Sequence, residues 1–224
     1  MPAKRGPKPK GKVKIRWSAN LAYAVGLLAS DGCLSSDGRH IVFVSKDKEQ
    51  ALNYAQALGV NVMIGRHKKK PVFRVQFSDV LFYDFLLTIG LTPAKSKTIG
   101  SLKIPQKYFF DFLRGSFDGD GCFYSYWDRR WKSSHMFYVT FSSASLRHIE
   151  WLRVEIAKQA NVQGHISSSK NERSIYSLRY AKKEALVIIK KMYYTPKVVC
   201  LGRKKAKIQG ALIVEEKQQR RYSR

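Results

Sequence analysis

The chain has 224 residues, of which 44% are hydrophobic and 12% aromatic, enough for a packed core in one large domain or two small ones. Lys plus Arg number 42 against 16 Asp plus Glu, a net charge of +26, which exceeds what solubility needs and points to a polyanionic partner, nucleic acid first. The basic residues run through the whole chain among Tyr, Phe and Trp, with no separate amphipathic basic helix, no transmembrane-length apolar run and no signal-peptide pattern, so a membrane partner is not expected.

Residues 1–16 hold three of the seven prolines and few apolar side chains, and read as an extended, solvated basic arm. Lys4-Arg5-Gly6-Pro7-Lys8-Pro9-Lys10 loosely resembles an AT-hook but lacks the second arginine; phosphate contact is the simpler reading. A helix capped by Ser18 or Asn20 then runs to about Ser30. Gly38 turns the chain into a strand over 39–45, and helical spacing over 47–58 ends at Gly59. A strand over 60–66, a basic turn at His67-Lys68-Lys69-Lys70-Pro71, an alternating strand over 72–77 and an amphipathic helix over 79–89 follow.

The second half repeats that order: a helix over 106–118, strands near 122–130 and 135–142, a helix over 145–159, strands near 162–168 and 173–180, and a helix over 182–192. Residues 195–224 read as a basic tail, its last stretch helical or frayed. Cys33, Cys122 and Cys200 lack CxxC spacing and read as reduced, buried small residues of an intracellular protein. The five histidines are scattered, without zinc spacing.

Both halves carry one pattern. Gly26-Leu27-Leu28-Ala29-Ser30-Asp31-Gly32-Cys33 returns as Gly115-Ser116-Phe117-Asp118-Gly119-Asp120-Gly121-Cys122, each copy ending a helix-like run in Asp-Gly. Either alone reads as a helix-terminating turn; two in the same context imply paired carboxylates. If the two helices packed side by side in parallel, Gly26 and Gly115 would let them approach closely, and Asp31 and Asp120 would meet at their negative C-terminal ends. That pair is unfavourable without a cation between, and Mg²⁺ suits hard oxygen ligands and phosphodiester hydrolysis. Asp118 matches Ala29 and reads as structural or capping.

These two segments, with Gly90-Leu91-Thr92-Pro93-Ala94-Lys95-Ser96-Lys97-Thr98 and Ile104-Pro105 between them, resemble the LAGLIDADG homing endonucleases of the single-chain, two-repeat branch, over roughly residues 18–205. The resemblance implies an α+β monomer of two pseudo-symmetric αββαββα repeats with a saddle-shaped antiparallel β surface for DNA. The expected divisions are a basic flexible arm (1–16), repeats over 17–100 and 101–200, and a basic C-terminal tail (201–224). It implies site-specific, metal-dependent double-strand cleavage of a long asymmetric DNA target across the minor groove, leaving short 3′ overhangs. Two or more Mg²⁺ ions are implied, with Mn²⁺ able to substitute and Ca²⁺ supporting binding without cleavage. Asp31 and Asp120 would be ligands, one serving each strand, helped by the carbonyls of Ser30 and Gly119.

By the same resemblance, Lys97 is the expected catalytic lysine of the first repeat and Lys197 or Lys204 that of the second. A further family position falls at Ser45-Lys46 in the first copy and Ser142-Ser143 in the second. On the strands, Phe73, Val75 and Phe77 would face the core while Arg74 and Gln76 face outward; Ser177 and Arg179 take similar places in the second copy. Arg and Gln suit guanine and adenine edges in the major groove. Arg39, Lys46, Lys70, Arg129, Arg130, Lys132 and Arg173 are further expected DNA contacts. Other functions on this fold are an RNA maturase that binds intron RNA and a non-cleaving DNA-binding regulator; two retained acids favour cleavage over the latter. No splicing-junction residues are visible, which favours an intron-encoded or free-standing form.

Overall fold

The chain is seen in a computed structural model that describes residues 11–66, 71–131, 134–169 and 175–222. The first repeat is α1 (Ala19–Asp31), β1 (Gly32–Leu34), β2 (His40–Ser45), α2 (Lys48–Leu58), β3 (Gly65–Arg66), β4 (Phe73–Ser78) and α3 (Val80–Thr88). The second is α4 (Phe109–Asp120), β5 (Cys122–Trp127), β6 (His135–Ser143), α5 (Leu146–Ala160), β7 (His165–Ser168), β8 (Tyr176–Ala181) and α6 (Lys182–Met192). A further helix, α7 (Gly202–Tyr222), follows. Each repeat forms a four-stranded antiparallel sheet, ordered β1-β2-β4-β3 and β5-β6-β8-β7. The orders are identical, as duplication of one αββαββα unit requires.

Local chemistry sets the boundaries. Ser18 Oγ accepts from the Leu21 amide at 3.1 Å and starts α1, and Gly59, at φ 66°, ends α2 in the left-handed conformation. Asp79 caps α3 by accepting from the Phe82 amide at 2.9 Å, and its other oxygen takes the amides of Lys12 and Val13. The basic arm therefore ends earlier than expected: from Lys12 the chain is tied to the first repeat, and Val13 is buried. Residues 1–10, with the AT-hook-like segment, lie outside the described residues.

On β2 and β4 the inward set is Ile41, Phe43, Val75 and Phe77, all buried. Phe73 is only partly buried. On the second sheet Phe123, Phe137, Val139, Phe141, Leu178 and Tyr180 do the same work. The strand expected over 60–66 shrinks to Gly65–Arg66, because Val60, Val62 and Ile64 pack against the core as extended chain without a ladder partner. The strand expected to 130 ends at Trp127, where Asp128 Oδ1 accepts the amides of Arg130 and Trp131 and turns the chain.

The last stretch of the C-terminal tail is helical rather than frayed, a 21-residue helix whose Ile208 and Ala211 are buried against the β5–β6 hairpin. The burial expected of the cysteines needs correction. Cys33 and Cys122 are exposed and Cys200 is half-buried, all free thiols: the first two sit on outward-facing strand positions. Among the described residues no helix is long and apolar enough to cross a membrane.

Candidate active site and nucleic-acid interface

The site is built where α1 meets α4. A β-carbon on Gly26 would fall 2.1 Å from the Phe112 carbonyl, and one on Gly115 2.0 Å from that of Tyr23, so these helices touch backbone to backbone as only glycine permits. Four residues further on, a β-carbon on Gly119 would strike Ser30 Oγ at 1.9 Å and lie 3.0 Å from Asp31 Oδ2. The contacts keep one offset along both helices, so α1 and α4 run parallel and end together. Asp31 and Asp120 are the last residues of those helices.

Both acids resist ionising there. Burial, then the neighbouring Asp120, pushes the Asp31 carboxyl up to about 6, while Lys204 and Lys95 pull it back. Burial also raises Asp120, against the same two lysines. Lys95 Nζ donates to the carbonyls of Gly32 at 2.7 Å and Ser30 at 3.3 Å. Lys204 Nζ donates to those of Phe117 and Gly121, both at 2.6 Å, and Gly119 at 3.1 Å. Each ammonium thus caps the C-terminal end of one motif helix, where unpaired carbonyls and the helix dipole favour a cation. Burial lowers both lysines from their ordinary value.

Of the lysines singled out in the sequence, only Lys204 stands beside the carboxylates. Lys97 and Lys197 are exposed, and Lys95 takes the place expected of Lys97. Ala94, at φ 52°, turns the chain into a 3-10 helix over Lys95–Lys97 that sends Lys95 inward and Lys97 out. Nothing in Lys-Ser-Lys marks which lysine faces inward, and no periodicity arbitrates over three residues. At the family position ending the second strand, Ser45 is buried against Gln50 Oε1 at 2.5 Å, whereas Lys46 is exposed.

Asp118 is buried and takes the Tyr23 hydroxyl at 2.8 Å and the Leu201 amide at 2.7 Å on one oxygen; burial pushes it up to about 6. It fastens α1 and the segment leading to Lys204 onto α4. Buried Arg114 does the same with the carbonyls of Val199 and Met192, balanced by Asp111 at 2.8 Å. The segments carrying the two lysines are also clamped crosswise. Ile99 and Gly100, after the first repeat, bond to Ser145 and His148 at the start of α5. Cys200, Gly202 and Arg203, after the second, bond to Asn53, Glu49 and Asp47 on or beside α2.

The outer face of each sheet starts directly from the acids, since β1 and β5 leave the ends of α1 and α4. Arg74, Gln76 and Arg179 are exposed there and Ser177 is half-buried, 3.3 Å from Ser142 Oγ. The register refines the expected correspondence: Cys33–Val42–Gln76 and Cys122–Thr140–Arg179 are equivalent rows, so Gln76 matches Arg179 and Arg74 matches Ser177. Arg39 and Arg130 are exposed beside Asp37 at 3.8 Å and Asp128 at 3.9 Å; Arg129 is exposed in the β5–β6 turn. Lys70, Lys132 and Arg173 lie outside the described residues. Tyr124, Tyr126 and Tyr138, on the second outer face, were not singled out from the sequence, though the alternation in β5 carries the signal.

No family-level sequence pattern and no curated protein matches the chain. Solved structures do. The LAGLIDADG homing endonuclease I-LtrWI bound to target DNA is 13% identical with a TM-score of 0.60, covering 90% of this chain and 91% of that one. I-DmoI in complex with DNA and Ca is 12% identical with a TM-score of 0.53, covering 80% and 91%. The N-terminal LAGLIDADG domain of DUF199/WhiA is 15% identical with a TM-score of 0.51, covering 81% and 85%. The chain has the two-repeat LAGLIDADG fold.

Proposed function

We propose that this chain is a divalent-metal-dependent endonuclease that makes a site-specific double-strand break in DNA. The observation that carries the reading is the duplicated site: two partly buried acids at abutting helix ends, each flanked by a lysine that caps the same helix. A protein that only bound DNA would gain nothing from two desolvated carboxylates repelling one another.

The donor set fits Mg²⁺. Among the described residues no cluster of three or more His, Cys, Asp or Glu is present, so the ligands would be Asp31 and Asp120 with the carbonyls of Ser30 and Gly119, all hard oxygens, completed by water and phosphate oxygens. Mg²⁺, when bound, supplies a water of lowered pKa and a Lewis acid for the phosphodiester. Asp31 and Asp120 would each align that chemistry on one strand. Lys95 and Lys204, held at the two helix ends beside the acids, would neutralise charge developing on the phosphate. The outer faces of the sheets would seat the duplex, a role supported by the +26 charge and by solved structures of this fold holding DNA. A single chain holds both acids, so a monomer suffices for both cuts.

A plasmid library carrying randomised inserts, cut with the wild-type protein in Mg²⁺ and sequenced at the new ends, tests this. Asp31→Asn and Asp120→Asn should each abolish double-strand cleavage while gel shifts in Ca²⁺ keep or raise affinity. Wild-type cutting by both variants overturns the assignment.

A further inference from the structure

The outer faces of the two sheets are not chemical copies. Beyond the rows that begin at Cys33 and Cys122, the first sheet presents Ser35 and His40, the latter paired with Asp37. The second presents Tyr124 opposite Tyr138. Tyr126 lies parallel to Tyr138, with ring centroids 6.3 Å apart and 10° between planes, and 5.4 Å from Tyr124. The Arg179 guanidinium lies over the Tyr138 ring at 5.6 Å. With Cys122 and Thr140 these side chains line an open groove of about 540 Å³. Tyr124 is 55% exposed, so the cluster offers apolar ring surface that the protein itself leaves uncovered.

Within a duplex the faces of the bases are stacked away, and the apolar feature that the major groove presents is the thymine 5-methyl group. A guanidinium held by a ring face keeps its N–H donors free at the edge for guanine O6 and N7. We propose that Tyr124, Tyr126 and Tyr138 read thymine methyl groups in the half of the duplex beneath the second sheet, with Arg179 reading an adjacent guanine. The half beneath the first sheet is read by Arg74 and Gln76 through hydrogen bonds. This rests on duplex DNA being the substrate. The charge of the chain suits that occupant, and the groove opens on the row that starts two residues after Asp120.

The test uses full-length protein and duplexes selected from a randomised library in Ca²⁺, the halves being assigned by repeating the selection with Gln76→Ala and Arg179→Ala. Thymine is then replaced by deoxyuridine in one half at a time, removing methyl groups and nothing else. In the Arg179 half each informative replacement should weaken binding about 3- to 5-fold, the value of one buried methylene; in the Gln76 half the change should stay under about 2-fold. Tyr124→Ala and Tyr138→Ala should erase the uracil penalty, and Tyr124→Phe should keep it. An absent penalty in the Arg179 half, or one that survives both alanine variants with unchanged thermal melts, overturns the proposal. So does tighter binding of the separated strands than of the duplex, which would mean stacking on unpaired bases. The results on the uracil penalty leave the nuclease reading standing, whereas preference for separated strands, or a library from which no duplex is enriched, overturns both.

Discussion

Asp31 carries a cost in the metal-free protein that can be measured. Its folded-state carboxyl is raised from 3.8 to about 6, so the stabilising share of this group is complete below about pH 4 and lost as pH rises through 6. At pH 7 without metal, Asp31→Asn should therefore be more stable than wild type by on the order of 2 kcal/mol, and the advantage should vanish near pH 4. Paired urea melts at the two pH values in EDTA check this, and added Mg²⁺ should reverse the order at pH 7 by stabilising only the wild type. The lysines separate just as cleanly. Lys95→Met should slow cutting of one strand about 10²–10³-fold and let nicked plasmid accumulate, while Lys97→Met should cut at nearly the wild-type rate; equal rates for the two variants would remove Lys95 from the site.

Among the elements, α7 is the part with no counterpart in the first repeat. The β5–β6 hairpin has strands of six and nine residues against three and six for β1–β2, and the added length needs cover on its inner side. Ile208 and Ala211 supply apolar cover, and Glu215 reaches Lys182 at 2.5 Å. Ending the chain after Lys205 keeps Lys204 but removes that cover. Hydrogen exchange should then accelerate across β5 and β6 and stay unchanged in β1 and β2, with a stability loss of a few kcal/mol from the exposed side chains. Most elements were legible because their signals are local: Ser18 as a cap, Gly59 as a stop, strict alternation in β4 and β8. What was missed depends on tertiary context. Lys-Ser-Lys does not reveal that only Lys95 turns inward, and the alternation of Val60, Val62 and Ile64 fits a strand as well as packed extended chain. Basic composition likewise hid the amphipathic face of α7, and exposure of Cys33 follows from strand register that no cysteine spacing encodes.

For the whole molecule the governing quantity is charge. If the surplus of basic residues binds phosphate, log affinity should fall linearly with log salt at about 0.9 per phosphate neutralised, losing on the order of 10³-fold between 50 and 200 mM for six or more contacts. Fluorescence anisotropy on the selected duplex in Ca²⁺ measures this slope. Deleting residues 1–10, which precede the tie to Asp79, should flatten it without altering the preferred sequence. A changed preference would instead make the arm a reader of bases.

The crosswise clamping has a consequence for how such a chain can be taken apart. Covalently, the halves divide near residue 100, yet the segment before that point is seated on α5, and the segment ending the second half is seated on α2. Neither half owns the docking ground of its own lysine-bearing strap. A hybrid joining the first half of this chain to the second half of a relative would inherit two mismatched clasps, one at each helix end that carries an acid. The unit of exchange is therefore each strap together with the foreign helix that receives it, and a seam placed at the linker alone would leave the acids in place and the lysines adrift.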